Sequence, residues 1–257
     1  MAGRKTKLGV ALGAGALRGL CHLGFLQVLK DEGITADYVA GTSMGAVIGA
    51  LYAAGIDLCT IGEVAKHLRL RHLLDPVFPR RGLLLGKNIT EILRLFLRDT
   101  TFAQLQIPLA VVATDLRSGK EVVFREGQVV EAVRASIAIP GIFTPLYRGE
   151  QVLVDGGLVN RVPISTVRAL GAEKVIAVSI NPAYTPNRLR NVAEIILQSF
   201  AILQTQIMAD KLQEADVVIE PRVEDINPAS LDEVERCIQE GAAATRRSLP
   251  LIKSLLA

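Results

Sequence analysis

Much of the chemistry open to this 257-residue chain is narrowed by what it lacks. It has three cysteines, Cys21, Cys59 and Cys237, too few and too widely spaced for a disulfide framework or a thiolate metal site. Their apolar or helical surroundings fit a reducing cytoplasm. No uninterrupted apolar run reaches the roughly 18 residues needed to cross a bilayer. Charge is nearly balanced, 29 basic against 26 acidic residues, which excludes the strongly basic surface of a nucleic-acid binder. There is no Gly-Lys-Ser/Thr, hence no phosphate-binding P-loop. No histidine follows His72, so the order serine, acid, histidine of an ordinary α/β hydrolase triad cannot be assembled. With no repeat, low-complexity tract or linker, the expectation is one domain over 1–257. The basic start Arg4-Lys5-Thr6-Lys7 before the apolar 8–12 looks like the opening of a signal peptide. Gly13, Gly15 and Arg18 interrupt it, and a first strand is the better reading.

Half the chain is hydrophobic and 22 residues are glycine, a composition that suits an α/β core. Its organising stretch is Val39-Ala40-Gly41-Thr42-Ser43-Met44-Gly45-Ala46, which reads as a nucleophile elbow. A serine hydroxyl stands clear of a sheet only on a sharp strand-to-helix turn, and Gly41 and Gly45 remove the side chains that would collide there. The following helix, over 44–55, points its N-terminal amides at the serine and favours negative charge beside it. The same pattern also serves as an ordinary strand-to-helix turn in α/β proteins.

Apolar runs at 8–12, 38–42, 109–114, 152–154, 174–180 and 217–219 read as strands, and 121–125 as a hairpin partner returning after Ser118-Gly119. Helical spacing falls at 20–33, 44–55, 129–138, 163–170 and 190–213. A last helix is expected to open at Ser230 with Glu233 as a capping box. Alternation of this kind predicts a mainly parallel sheet with helices on both faces, a three-layer α/β sandwich. The stretch 60–102 is the least sheet-like, with leucines among Arg69, Arg71, Arg80, Arg81 and Lys87 and breaks at Pro76, Pro79, Gly82 and Gly86.

The loop Gly13-Ala14-Gly15-Ala16-Leu17-Arg18-Gly19 between the first strand and helix admits more than one use. As a dinucleotide loop its third glycine comes one residue late, and Gly41-Thr42-Ser43 stands where the ribose-binding acid belongs, so cofactor binding is the weaker reading. As an oxyanion hole, the small residues Gly13, Ala14, Gly15 and Ala16 would expose amides to a developing negative charge. A tight turn that merely serves helix packing is the third use. For the base, His22 reads as a packed helix residue and His67 and His72 as surface or cap residues. Asp155 ends a strand and is followed by Gly156 and Gly157, which let its backbone approach another element. It is either a carboxylate acting directly on the serine or a cap that holds a turn.

Taken together these stretches resemble the bacterial patatin-like phospholipases. The glycine loop with His22 and Gly24 after it, Gly41-Thr42-Ser43-Met44-Gly45, Ala113-Thr114-Asp115-Leu116, Arg134-Ala135-Ser136-Ile137-Ala138-Ile139-Pro140-Gly141 and Asp155-Gly156-Gly157 match that family's motifs in order, over about residues 7 to 182. Ala14 departs from the family's run of three glycines. The resemblance implies a modified α/β hydrolase fold with a Ser-Asp dyad: Ser43 as nucleophile, Asp155 as general base, the 13–16 amides as oxyanion hole, and Arg18 ordering the loop. Asp115 and Ser136 read as structural supports. The implied activity is cleavage of lipid acyl esters through an acyl-serine, with no cofactor or metal. The alternative is a regulatory protein that binds an acyl group or a protein partner without turnover.

The leucines and arginines between 68 and 98 have two readings, a mobile cover that touches an anionic lipid surface or an amphipathic helix pair packed on the core. The expected setting is the cytoplasm, with peripheral contact at the inner membrane face. No nucleic-acid partner is expected.

Overall fold

Side chains on successive strand residues point to opposite faces, and here the two faces carry different residues. In β1 (Leu8–Leu12) and its parallel neighbour β2 (Tyr38–Thr42), Leu8, Val10, Leu12 and Val39 join the larger core, while Ala11 and Ala40 face a smaller one built of alanines and valines. That asymmetry makes three layers. The larger layer holds α1 (Cys21–Asp31), α2 (Met44–Ala53), α3 (Leu58–His67), the single turn α4 (Leu70–Leu73) and α5 (Lys87–Leu97). The computed structural model describes residues 6–76, 83–181, 195, 198–199, 201–205, 211–228 and 230–257.

β3 (Leu109–Asp115) is buried throughout and returns through β4 (Lys120–Phe124) as the expected antiparallel hairpin. After α6 (Val129–Ser136) come β5 (Leu146–Arg148) and β6 (Gln151–Asp155), then α7 (Ile164–Arg168) on the alanine-rich face, β7 (Lys174–Val178), β8 (Val217–Ile219) and α8 (Val234–Leu256). The sheet runs β5-β6-β3-β2-β1-β7-β8, with β4 also on β3. β1, β2, β3, β7 and β8 are mutually parallel, and β4, β5 and β6 oppose their neighbours. The three-layer, mainly parallel expectation therefore holds.

Two details differ from the sequence reading. α8 starts at Val234, and Ser230 makes no capping box: its hydroxyl accepts from the Asp232 amide and donates to the Asp232 carboxylate, closing a turn upstream of the helix. β5 carried no period-2 apolar signal, because Tyr147 and Arg148 are both exposed on this short edge strand. Most of the helix expected over 190–213, and Pro79, Arg80, Arg81 and Gly82, lie outside the described residues.

One feature of register positions everything that follows. β2 pairs with β3 residues 109–112, β6 pairs with 113–115, and β4 pairs with 111–115. A strand has only two edges, so β2 and β6 share the edge of β3 that β4 leaves open. Parallel β2 and antiparallel β6 therefore meet end to end. Thr42, the last residue of β2, lies opposite Val112, and Asp155, the last of β6, opposite Ala113.

Candidate active site

Ser43 follows Thr42 and opens α2, so it stands where the two strand ends meet. It has φ 55° and ψ −122°, a left-handed backbone unusual for a residue with a side chain, and is 4% exposed. The turn is tight enough that a Cβ on Gly45 would overlap the Leu12 carbonyl oxygen, and one on Gly41 the Gly45 carbonyl. Where β2 stops and β6 has not begun, the Val112 carbonyl would lose its sheet partner. The Ser136 hydroxyl fills the gap, donating to Val112 O at 2.6 Å and accepting from the Ser43 amide at 2.8 Å. Ser136→Ala strands both groups in a fully buried place and is expected to cost about 2 kcal/mol, or about 4–8 °C of Tm. An unchanged melting curve would contradict this account of the junction.

Asp155 reaches Ser43 from the opposing strand end, and the Ser43 hydroxyl beside its carboxyl favours the ionised form. The Gly157 amide donates to Asp155 Oδ1 at 2.7 Å, and the Ala138 carbonyl accepts from the Asp155 amide at 3.0 Å. Burial raises the Asp155 pKa to about 6, against the opposing pull of the Ser43 hydroxyl, the Gly157 amide and the Arg161 guanidinium. The result is a carboxylate more basic than usual, beside a serine on the positive end of a helix.

The glycine loop borders the same place, but not all of its amides are free. Gly13 N donates to Val178 O at 3.0 Å and Ala14 N to Arg161 O at 2.9 Å. This corrects the wider sequence expectation. Among the described residues nothing engages the Gly15 and Ala16 amides. Ala16, at φ 48°, lines the cavity beside Ser43. His22 is fully buried with its Nε2 2.8 Å from the Gly13 carbonyl, and burial lowers its pKa to about 4. It is therefore neutral, and the Nε2 proton that faces a carbonyl is donated to it, which pins the loop. Arg18 ties the same loop to a distant segment through Val223 O at 3.4 Å.

Above Ser43 opens an apolar cavity of about 400 Å³, within the range of small-molecule sites. Met44, Val47, Ile48 and Leu51 of α2 form one wall, and Ile89, Ile92, Leu93 and Phe96 of α5 face it. Of the two readings of the leucine-rich stretch, these contacts bear on the packed helix pair. The inner sides of α3 and α5 are packed, with Ile61, Ala65, Leu93 and Leu97 buried, and they also wall the cavity. Arg134 fastens this wall to the core. Its Nη2 donates to the carbonyls of Leu85 and Thr144, two residues before Ser136 grips the elbow.

Most of the residues singled out in the sequence converge here: Ser43, Asp155, Gly15, Ala16, Gly41, Gly45, Gly156 and Gly157. His67 and His72 do not. His67 Nδ1 lies 2.8 Å from Glu63 O and His72 Nδ1 accepts from the Arg69 amide, both on the surface. Asp115 accepts from Ser118, Arg117 and Val152 and clasps the β3–β4 turn to β6. Arg161 was missed. Its guanidinium donates to Ile180 O and Gln204, and burial lowers its pKa to about 10. An arginine enclosed by Asn160, Val162 and Pro163 was the one available signal.

Residues 10–168 match the family model described as patatin-like phospholipase. An uncharacterised NTE family protein of Mycobacterium tuberculosis is 39% identical over 178 residues, 68% of this chain and 49% of that protein. The neuropathy target esterase of Drosophila melanogaster is 29% identical over 183 residues, 68% of this chain and 13% of its own length. The chain thus spans about half the length, or less, of these curated relatives. In fold it is similar to VipD from Legionella pneumophila, with a TM-score of 0.56 at 14% identity, covering 98% of this chain and 67% of that one.

Proposed function

Because the chain belongs to the patatin-like phospholipase family, we propose that it hydrolyses lipid acyl esters through a covalent acyl-Ser43, with Asp155 as the only base. The observation that carries this reading is Ser43, which lines an apolar cavity, with its hydroxyl beside the buried Asp155 carboxyl. Asp155 takes the Ser43 proton as the oxygen attacks the acyl carbonyl. The Gly15 and Ala16 amides hold the tetrahedral oxyanion, helped by the α2 N-terminus. Asp155 then returns the proton to the leaving alcohol. A water, deprotonated in turn by Asp155, releases the fatty acid. A pKa near 6 brings this carboxylate closer to the working range of a general base than an ordinary aspartate.

The acyl group belongs in the cavity. The α2 wall from Ser43 to Leu51 extends for about 12 Å at 1.5 Å per residue. Each further methylene buried along it contributes about 0.8 kcal/mol. Hydrolysis of p-nitrophenyl butyrate and decanoate by the wild type and Ser43→Ala tests the reading. The wild type is expected to prefer decanoate by at least about tenfold in kcat/KM, and Ser43→Ala to lose about 10³-fold or more on both. A wild type no faster than Ser43→Ala would overturn it in favour of an acyl-binding protein without turnover.

A further inference from the structure

The chain's charge is unevenly distributed. Residues 69–98 contain seven basic and two acidic residues, so this stretch carries more positive charge than the +3 of the whole, and the remainder is slightly acidic. Neither acid is available to neutralise the surface. The Asp75 carboxylate accepts from the amides of Gly86, Lys87 and Asn88 and caps α5, and Glu91 pairs with Arg94 at 3.0 Å. Arg69, Arg71, Lys87 and Arg98 are exposed, with no carboxylate partner among the described residues.

The same stretch exposes large apolar side chains. The amides of Leu83 and Leu84 both donate to the Ile142 carbonyl, Leu84 bridges to Phe143, and exposure alternates from Leu83 to Leu85. Leu84 lines the cavity, whereas Leu83 and Leu85 point outward, 47% and 45% exposed. Leu74 lines the cavity and is also 40% exposed, so apolar surface is continuous from the interior to the outside. Leu95, on the outer side of α5, is 79% exposed, the most of any large apolar residue described. Exposed leucines among unpaired cations are costly in water and suited to one solvent, the boundary of a bilayer with anionic headgroups.

We propose that the face formed by residues 69–76 and 83–98 docks on anionic phospholipid membranes, with Leu74, Leu83 and Leu85 entering the acyl boundary and Arg69, Arg71 and Lys87 meeting the headgroups. This rests on the lipid hydrolase reading in one respect, that docking brings the cavity mouth at Leu74 against the acyl chains and lets them reach Ser43 without crossing water. Docking itself needs no turnover. No described helix is long and apolar enough to span a membrane, so the contact is peripheral at this face.

Flotation of full-length Ser43→Ala with vesicles measures docking apart from hydrolysis. One vesicle set is phosphatidylcholine alone, the other phosphatidylcholine with about one third phosphatidylglycerol. The anionic vesicles are expected to bind and the neutral ones to bind at least about tenfold more weakly, and added salt is expected to weaken binding to the anionic set. Leu83→Glu with Leu85→Glu, and separately Arg69→Glu with Arg71→Glu, each lose about tenfold or more in binding. In the Ser43-containing chain the same pairs keep soluble p-nitrophenyl ester hydrolysis and the wild-type circular dichroism. Equal binding to both vesicle sets, no binding to either, or no effect of the leucine pair overturns the proposal. So does a dimer that the leucine pair dissociates, since the face would then cover a second copy. A wild type that floats but hydrolyses no ester removes the proposed activity and leaves docking standing.

Discussion

Asp155→Asn is expected to abolish hydrolysis and to stabilise the protein at neutral pH. Asparagine keeps an oxygen for the Gly157 amide but cannot accept the Ser43 proton, so kcat/KM should fall about 10³-fold or more. The stability effect follows from linkage. The folded-state pKa of about 6 lies above the ordinary 3.8, so the native state favours the protonated acid. That contribution is fully present below about pH 4 and is lost as pH rises through about 6. Above that, the wild type carries the whole cost of a buried carboxylate, about 3 kcal/mol for two pKa units. The variant does not carry it. Its Tm should match the wild type near pH 4 and exceed it by about 5–10 °C at pH 8. A variant less stable at pH 8 than at pH 4, relative to wild type, would mean that Asp155 is held by compensating charge and is no base of raised pKa. The effect illustrates a functional group kept in place against stability.

The second large effect is at the elbow. Gly45→Ala places a methyl group inside the Leu12 carbonyl oxygen and 2.7 Å from the Gly13 carbonyl, both backbone atoms that cannot rotate away. The first turn of α2 would have to lift off β1, carrying Ser43 and the glycine loop with it. We expect insoluble protein, or a loss of about 4 kcal/mol or more and no measurable hydrolysis. Gly62→Ala is the informative contrast. Gly62 lies inside α3, and the nearest atom to an added Cβ is Ile238 Cδ1 at 3.7 Å, ordinary contact. Helix propensity then favours alanine, and stability should rise by about 0.5–1 kcal/mol. Thermal melts of the two variants side by side check both signs. If Gly45→Ala melted like the wild type, close backbone approach would not be what that glycine serves.

How much of this was legible in the chain depends on the range of the interaction involved. The elbow was readable because its requirement is local: a serine at positive φ between two glycines, Gly45 pressed on β1 and Gly41 on the first turn of α2. The strands were readable from short apolar runs, and the hairpin from Ser118-Gly119. What could not be read is the meeting of β2 and β6. That depends on the register of both against β3, more than forty residues from Asp155, and on the reversed direction of β6. The glycine loop shows the same limit. Smallness marked Gly13 to Ala16 alike, yet carbonyls of Val178 and Arg161 occupy the first two amides. Ser136 looked like a support, but its bonds to Ser43 and Val112 required three elements to be in place. Ser230 misled because a serine three residues before a glutamate also fits a turn closed on Asp232.

If an ionised Asp155 activates Ser43, the rate of fluorophosphonate modification follows the ionisation of Asp155 as pH is varied. One adduct per chain is expected, on the peptide carrying Ser43. Its rate should rise about tenfold per pH unit up to about pH 6 and level off by about pH 7, and Ser43→Ala should remain unlabelled. An adduct on any other residue, or a rate on Ser43 that stays flat from about pH 4.5 to 8, would contradict it.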